Sequence, residues 1–173
     1  SGYSAHDILS LGFKKSKAHA ALLESTPSID GVKASDYDAL FVTGGQSPMV
    51  TFRDDAKLQK LVADFYEAGK IVALVCHGTC LLLETKLSDG KLLVDGKTWT
   101  GFANSEEQFA DSFVGKRIQP FWIEDEARKI PGTNFVVDQP FREFAVRDGR
   151  LVTGQQQNSG TAAARLVIEA LGR

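Results

Sequence analysis

The residues of this chain that are best suited to chemistry are Cys76 and His77, which directly follow the apolar run Ile71–Val75. A run of this length and β-branched character is typical of a strand buried on both faces. Gly78 and three consecutive leucines come soon after, and they predict a helix. A strand that turns sharply into a helix has the local geometry of a nucleophile elbow, here with cysteine in the place of serine. Amide groups at the start of that helix would stabilise a thiolate and a neighbouring oxyanion.

A packed, unreactive Cys76 is an equally open interpretation of this stretch alone, because free cysteine is among the most buried residue types. Cys80 lies four residues further on and is most simply a packed helix residue. The two thiols do not form a disulfide framework, and without neighbouring histidine pairs they make a poor zinc site. We therefore expect no metal ion and a reducing, cytoplasmic environment.

A pair of adjacent glycines, Gly44–Gly45, follows the first clear strand, Asp38–Thr43. Such a pair permits positive φ and lets backbone approach a ligand, although a tight turn is the better explanation on local sequence. Apolar residues recur at three- and four-residue steps in Asp54–Gly69, which predicts an amphipathic helix ending at the glycine. The strand Asp38–Thr43, this helix and the strand Ile71–Val75 together form a βαβ unit. The glycines and Cys76 then share the carboxyl edge of the sheet, where α/β proteins usually bind ligands.

Two adjacent glutamates, Glu106 and Glu107, lie at a predicted helix start near Asn104. Asparagine and serine are favoured N-caps, so either Asn104 or Ser105 would cap this helix, and acidic residues in the first turn complement the helix dipole. On local sequence, capping is therefore the simpler explanation of both carboxylates.

The rest of the chain predicts short strands and helices, without an internal repeat or a linker. An Asp-Gly pair at residues 148–149 indicates a hairpin turn. His6 and His19 are interpreted as surface or packing residues rather than ligands. The other predicted elements are a short helix Ala18–Leu23, a strand Lys97–Thr100, a helix Trp122–Ile130, strands Phe135–Val137, Glu143–Val146 and Leu151–Thr153, and a last helix Thr161–Leu171.

The composition is that of a globular protein of one domain, with 173 residues, 43% apolar and 24% charged. The net charge of −2 comes without any basic block, which argues against nucleic acid or an acidic membrane as a partner. No apolar run approaches the roughly 18 residues of a membrane helix. The first residues also lack the charged region and apolar core of a secretory signal.

Together these stretches resemble the DJ-1/PfpI (ThiJ/PfpI) superfamily, a type 1 glutamine amidotransferase-like domain. The likeness is closest to the branch of glutathione-independent glyoxalases and stress chaperones. The combination of Ala-x-Val-Cys-His-Gly with Thr-Gly-Phe-x-Asn-x-Glu-Glu is specific, whereas the glycine pair alone is not. The matching stretches lie across most of the chain, at residues 36–45, 65–70, 73–78, 100–107 and 149–155.

The resemblance implies a flavodoxin-like α/β fold, that is, a three-layer sandwich with a mostly parallel central sheet. It also implies a homodimer and no cofactor. It makes Cys76 the nucleophile and His77 its partner, and it assigns the orienting acid to Glu107, with Glu106 as the less favoured register. His77 would take or share the thiol proton while Glu107 holds the imidazole in the useful tautomer. Main-chain N–H groups of Gly45 and His77 would form the oxyanion hole.

One departure from the superfamily concerns the start of the chain. Its members begin with a strand, a helix and a second strand, and the first strand ends in a glutamate that hydrogen-bonds the elbow thiol. Residues 1–37 contain no such strand, so we expect a single DJ-1/PfpI-like domain over residues 1–173 that lacks this part. Open sheet edges and apolar surface would remain without it, and we therefore expect a further segment, upstream or noncovalent, to complete the sheet.

Three functions are compatible with this scaffold. The first is the hydration of small α-oxoaldehydes, methylglyoxal to lactate, through a hemithioacetal on Cys76. The second is another cysteine hydrolase, a peptidase, deglycase or amidase, because fold does not determine chemistry. A glutamine amidotransferase is disfavoured, since that class needs a histidine far downstream and His77 is the last one here. The third is a redox-sensing stress chaperone whose Cys76 becomes oxidised.

Overall fold

The computed structural model describes residues 8–173, which divide into two compact units, one that ends at Val32 and one that comprises residues 33–173. The first unit contains two short α-helices, α1 (Ile8–Lys15) and α2 (Lys17–Glu24), and a 3-10 helix at Ile29–Gly31. The position of α2 confirms the short helix predicted there, whereas α1 has no counterpart among the predicted elements.

The second unit is an α/β structure that carries all the candidate chemical residues. Three 3-10 helices interrupt it, at Ala34–Asp36, Cys76–Leu83 and Gln157–Ser159. Its strands and helices, in chain order, are β1 (Ala39–Val42), α3 (Pro48–Thr51), α4 (Ala56–Glu67), β2 (Ile71–Val75), β3 (Thr98–Trp99), α5 (Asn104–Val114), α6 (Ile123–Ala127), β4 (Asn134–Phe135), β5 (Ala145–Asp148), β6 (Leu151–Gly154) and α7 (Gly160–Ala170).

The central sheet has the strand order β1-β2-β6-β5. The first three strands are parallel, and β5 joins antiparallel through the predicted hairpin turn, where Gly149 has a φ of +62°. Val42 pairs with Leu74, and Val75 pairs with Gly154. The carboxyl ends of β1, β2 and β6 therefore finish side by side. A separate two-stranded parallel sheet consists of β3 and β4.

The connection between β1 and β2 is the predicted amphipathic helix α4. The carboxylate of Asp55 caps its start by accepting from the amides of Lys57 and Leu58 at 3.0 and 3.1 Å. Its apolar face is buried and packs on β1 and β2. Gly69 follows the helix with a φ of +77°, as a C-terminal stop requires. The predicted βαβ unit is thus confirmed.

The core of this unit surrounds β2 and β6, in which every residue is buried. Strands without an exposed residue must be covered on both faces of the sheet. α4 covers β1 and β2, and α7 packs on β2, β6 and β5. The fold is a flavodoxin-like α/β sandwich with a mostly parallel central sheet, as the sequence predicts.

The shorter elements differ from the prediction in their bounds. The segment after Cys76 is a 3-10 helix rather than a regular α-helix. The strand predicted over Glu143–Val146 begins two residues later, at Ala145, because its position follows from pairing with β6 rather than from local alternation. Within residues 8–173, no helix has the length and apolar character needed to cross a bilayer.

Candidate active site

Cys76 occupies the bend between β2 and the 3-10 helix Cys76–Leu83, and only 8% of it is exposed. Its φ is +58°, in the left-handed region that residues other than glycine rarely adopt. Such backbone strain costs about 1–3 kcal/mol and persists only where the surroundings impose it. The hydroxyl of Thr79 helps to hold the bend by donating to the Cys76 carbonyl oxygen at 2.7 Å. This is the backbone geometry of a nucleophile elbow.

The glycines around the elbow are positions where a side chain has no room. A Cβ atom on Gly44 would lie 2.6 Å from Cys76 Cβ, and one on Gly78 would lie 2.6 Å from the Thr43 carbonyl oxygen. Gly45 has a φ of +124°, which side chains strongly disfavour. The loop after β1 therefore packs its bare main chain directly against the elbow.

His77 joins the thiol to a carboxylate. Its Nδ1 lies 3.7 Å from Cys76 Sγ, and its Nε2 lies 3.0 Å from Oε1 of Glu107. The imidazole and the carboxylate are both about 1% exposed. The ring of Phe102 stacks on the imidazole with 4.0 Å between centroids, which holds the plane of the histidine. The structure thus brings the three predicted residues into one contact chain.

The electrostatics of this contact chain favour a protonated histidine. Burial by itself would lower the pKa of His77, but the interactions with Cys76 and Glu107 outweigh it and raise that pKa to about 9. At neutral pH the imidazolium can donate from both ring nitrogens, towards Sγ and towards the carboxylate. A thiolate formed at Cys76 would therefore face a cation that is itself held by a buried anion.

Glu106, the other candidate register, has different partners. Its Oε2 accepts from the amide of Ala103 at 3.0 Å. Its Oε1 accepts from the amide of Phe141 at 2.8 Å and from Nε2 of Gln155 at 2.9 Å. The carboxylate is fully buried. Of the two adjacent glutamates, Glu107 is thus the one that contacts His77, while Glu106 binds main chain and an amide side chain.

Gln155 is a fully buried residue that has no separate prediction beyond its place in the matching stretch 149–155. It follows Gly154, which pairs with Val75, just as Cys76 follows Val75. Gly44, Cys76 and Gln155 are therefore the neighbouring residues at the ends of three parallel strands. A signal for Gln155 was present in the sequence, since it directly follows a buried strand that ends in a glycine.

Cys80 is packed, in agreement with its interpretation as a helix residue. Its thiol donates to the carbonyl oxygen of Pro48 at 3.4 Å and is fully buried. Burial raises the pKa of the Cys80 thiol to about 12. It is therefore a poor nucleophile at neutral pH.

The other two histidines are His6 and His19. His19 stacks on Phe13 with 5.3 Å between ring centroids, as expected of a packing residue, and His6 lies outside the described residues. The part of the chain that the structure describes contains no cluster of three His, Cys, Asp or Glu residues fit to hold a metal ion.

Two surface grooves, of about 390 and 240 Å³, lie along α4 and beside Arg53, and Cys76 lines neither of them.

Comparison with known proteins points to one group of relatives. The chain is 33% identical to a probable glutathione-independent glyoxalase, hsp3103, of Schizosaccharomyces pombe, over 87% of this chain and 59% of the relative. It is 32% identical to the glutathione-independent glyoxalase HSP31 of Saccharomyces cerevisiae, over 81% of this chain and 60% of that protein. The chain thus spans about three fifths of the length of these curated relatives.

A solved structure gives the same result for the fold. Glyoxalase III of Candida albicans superimposes with a TM-score of 0.77 and 27% identity, over 92% of this chain and 67% of that one. The DJ-1/PfpI family profile matches residues 13–170, which include the elbow at Cys76, the glycine loop at Gly44–Gly45, and Glu106 with Glu107. This chain belongs to the DJ-1/PfpI family.

Proposed function

We propose that this protein converts α-oxoaldehydes such as methylglyoxal into 2-hydroxy acids, without glutathione or a metal ion. The observation that carries the proposal is the contact chain from Cys76 Sγ through His77 to Glu107 at a strained elbow. The names of the relatives, glutathione-independent glyoxalases, support the same reaction.

The proposed reaction begins with addition of the Cys76 thiolate to the aldehyde carbon, C1, of methylglyoxal. A C–S bond forms, the C=O π bond breaks, and the imidazolium of His77 protonates the new alkoxide to give a hemithioacetal. A proton then moves from C1 to C2 through an enediol, which leaves a lactoyl thioester on Cys76. Water hydrolyses the thioester, releasing lactate and the free thiol. C1 is oxidised and C2 is reduced within one molecule, so the electrons balance without an external oxidant or reductant, and one water molecule balances the atoms.

Main-chain N–H groups of Gly45 and His77 are proposed to stabilise the negative oxygen that develops during addition and hydrolysis. The support for this assignment is the close packing of Gly44 on Cys76, which brings residues 44–45 beside the elbow. Donors fixed in advance in a site that largely excludes water act strongly on such a charge, and they need no reorganisation during the step.

The test is lactate formation from methylglyoxal, without glutathione, by the parent protein and by a Cys76→Ala variant. We expect turnover by the parent and none by the variant, with the fold of both checked by circular dichroism. A Cys80→Ala variant is the matched control, because this buried thiol donates to the Pro48 carbonyl oxygen, and it should keep turnover. Equal turnover by the parent and the Cys76→Ala variant would contradict the proposal.

We also propose that the protein is a cytoplasmic homodimer. Two free, buried cysteines are suited to a reducing compartment. The apolar side chains of Phe109, Phe113 and Val114 on α5 are 61%, 86% and 50% exposed, and a patch of this kind often marks an interface. Light scattering should therefore give twice the chain mass of 18.8 kDa, and a monomer mass would contradict the dimer.

A further inference from the structure

Glu106 is a fully buried carboxylate that has no cationic partner among residues 8–173. Three N–H groups approach it instead, from Ala103, Phe141 and Gln155. An ionised carboxylate accepts all three, whereas an amide would turn its own NH₂ group towards at least one donor. Position 106 therefore requires a carboxylate in order to satisfy all three N–H donors, and this carboxylate pairs with no cation among the described residues.

Gln155 uses both ends of its amide side chain. Its Nε2 donates to Glu106 at 2.9 Å, and its Oε1 accepts from the amide of Asp138 at 2.7 Å. Its own main-chain amide donates to the carbonyl oxygen of Phe144 at 3.0 Å. Gln155 thus connects the end of β6 to α5 and to the segment that includes residues 138–144.

Phe141, the third partner of Glu106, is held in a strained backbone conformation with a φ of +60°. Its amide donates to Glu106, and its carbonyl oxygen accepts from Nδ2 of Asn158 at 2.9 Å. A strained residue of this kind indicates that the surrounding contacts determine its position. The Glu106 carboxylate is therefore part of a rigid polar cluster.

Two side-chain hydrogen bonds link the first turn of α5 to the carboxyl edge of the sheet. The first bridge joins Glu107 to His77, which follows the end of β2. The second bridge joins Glu106 to Gln155, which follows the end of β6. β2 and β6 are neighbouring strands, and the paired residues Val75 and Gly154 end them at the same level. Both bridges therefore start from the same turn of α5 and end at the same edge of the sheet.

We propose that Glu106 and Gln155 are positioning residues for the Cys76–His77–Glu107 site. They hold the first turn of α5 at the distance from the sheet at which the Glu107 carboxylate meets the imidazole. The inference rests on the proposed function for the reaction that this geometry serves. A displacement of about 1 Å at such a contact can lower a rate about 10²-fold.

The test uses two variants that disturb this polar cluster by different means, Glu106→Gln and Gln155→Asn. The first turns an NH₂ group towards at least one of the three N–H donors, and the second withdraws the Gln155 donor from Glu106 by one methylene. NMR titration of the His77 imidazole is the direct readout, because Cys76 and Glu107 are the titratable groups that contact this ring. We expect the His77 pKa to fall by about one unit or more from its value of about 9, and kcat to fall about 10-fold with little change in KM.

Gln156→Asn is the matched control. Gln156 is equally buried, and its Nε2 donates to the carbonyl oxygen of Arg142 at 2.8 Å, so it holds the same segment but does not contact Glu106. We expect this variant to lose thermal stability while His77 titrates as in the parent. An unchanged His77 titration in Glu106→Gln and Gln155→Asn would overturn the proposal. An equal shift in all three variants would also overturn it, since general loosening would then be the cause.

The His77 titration is independent of the substrate. A parent protein that forms no lactate would contradict the proposed function alone, and the titration of the three variants would still decide the positioning proposal. If Glu106→Gln does not fold, Gln155→Asn decides it by the same readout, because that residue remains polar and loses only one methylene.

Discussion

Glu107 Oε1 lies 3.0 Å from His77 Nε2, although 30 positions separate the two residues along the chain. Both side chains are almost completely buried, and the other ring nitrogen of His77 faces the thiol of Cys76. A buried anion that contacts a histidine stabilises the imidazolium and fixes the orientation of the ring. This contact is the feature through which α5 acts on the elbow.

Replacement of Glu107 by glutamine tests the charge of that contact. The amide oxygen of glutamine can still accept from Nε2, but the negative charge is lost, so the His77 pKa should fall from about 9 towards its ordinary value of 6.5. We expect kcat for methylglyoxal to fall by about 10² or more, the usual scale for a lost acid–base element. Glu169→Gln, an exposed change on α7, should alter neither quantity. Equal rates for Glu107→Gln and the parent would exclude a catalytic role for this carboxylate.

The raised pKa of His77 also predicts how stability depends on pH. Its folded-state pKa of about 9 exceeds the unfolded value of 6.5, so its contribution to the free energy of unfolding is complete below pH 6.5. The contribution declines above that pH and is lost as the pH passes about 9. At about 1.4 kcal/mol for each pKa unit, it amounts to at most about 3 kcal/mol. Urea unfolding from pH 6 to pH 10 should show this decline in the parent and not in His77→Asn. Parallel curves for the two proteins would contradict it.

Gly44→Ala tests the close packing of the glycine loop. The new methyl group would lie 2.6 Å from Cys76 Cβ and 2.9 Å from the Val75 carbonyl oxygen, so the loop must move. We expect a loss of about 1–3 kcal/mol in the free energy of unfolding, together with a loss of turnover. Gly160→Ala is the control, because nothing lies within 4 Å of its added methyl group and its φ is negative. That change should be neutral or stabilise by up to about 1 kcal/mol.

Alkylation distinguishes the two thiols. Iodoacetamide at pH 7.5 should label Cys76, which is largely buried but keeps 8% of its surface exposed at the elbow, beside a protonated histidine. Cys80 should stay unlabelled, because burial raises its pKa to about 12 and leaves only about three thiolates in 10⁵ at that pH. Mass spectrometry of the digested protein identifies the labelled position, and the protein unfolded in urea should take label at both. Labelling of Cys80 in the folded protein would show that burial and the contact with Pro48 do not protect its thiol from iodoacetamide.

The local sequence determined the elements that carry the site. The buried run Ile71–Val75, the glycine pair 44–45 and the periodicity of Asp54–Gly69 are each strong local signals, because strand burial, positive φ and helical amphipathicity depend on neighbouring residues. Parallel pairing of the two strands then follows from the length of the connection. For this reason, the place of Cys76 at the carboxyl edge of the sheet could be predicted before any contact was known.

Only the tertiary structure shows why Glu107, which the family resemblance favoured, meets the histidine while Glu106 does not. Glu106 and Glu107 are neighbours in sequence, and each is an equally good residue for a first helical turn. Adjacent residues point about 100° apart around a helix, so the rotation of α5 against the sheet sends Glu107 to His77 and Glu106 to Gln155. That rotation results from the packing of α5 and from the polar cluster around Glu106. Both depend on contacts 30 to 49 positions apart along the chain, which no local pattern encodes.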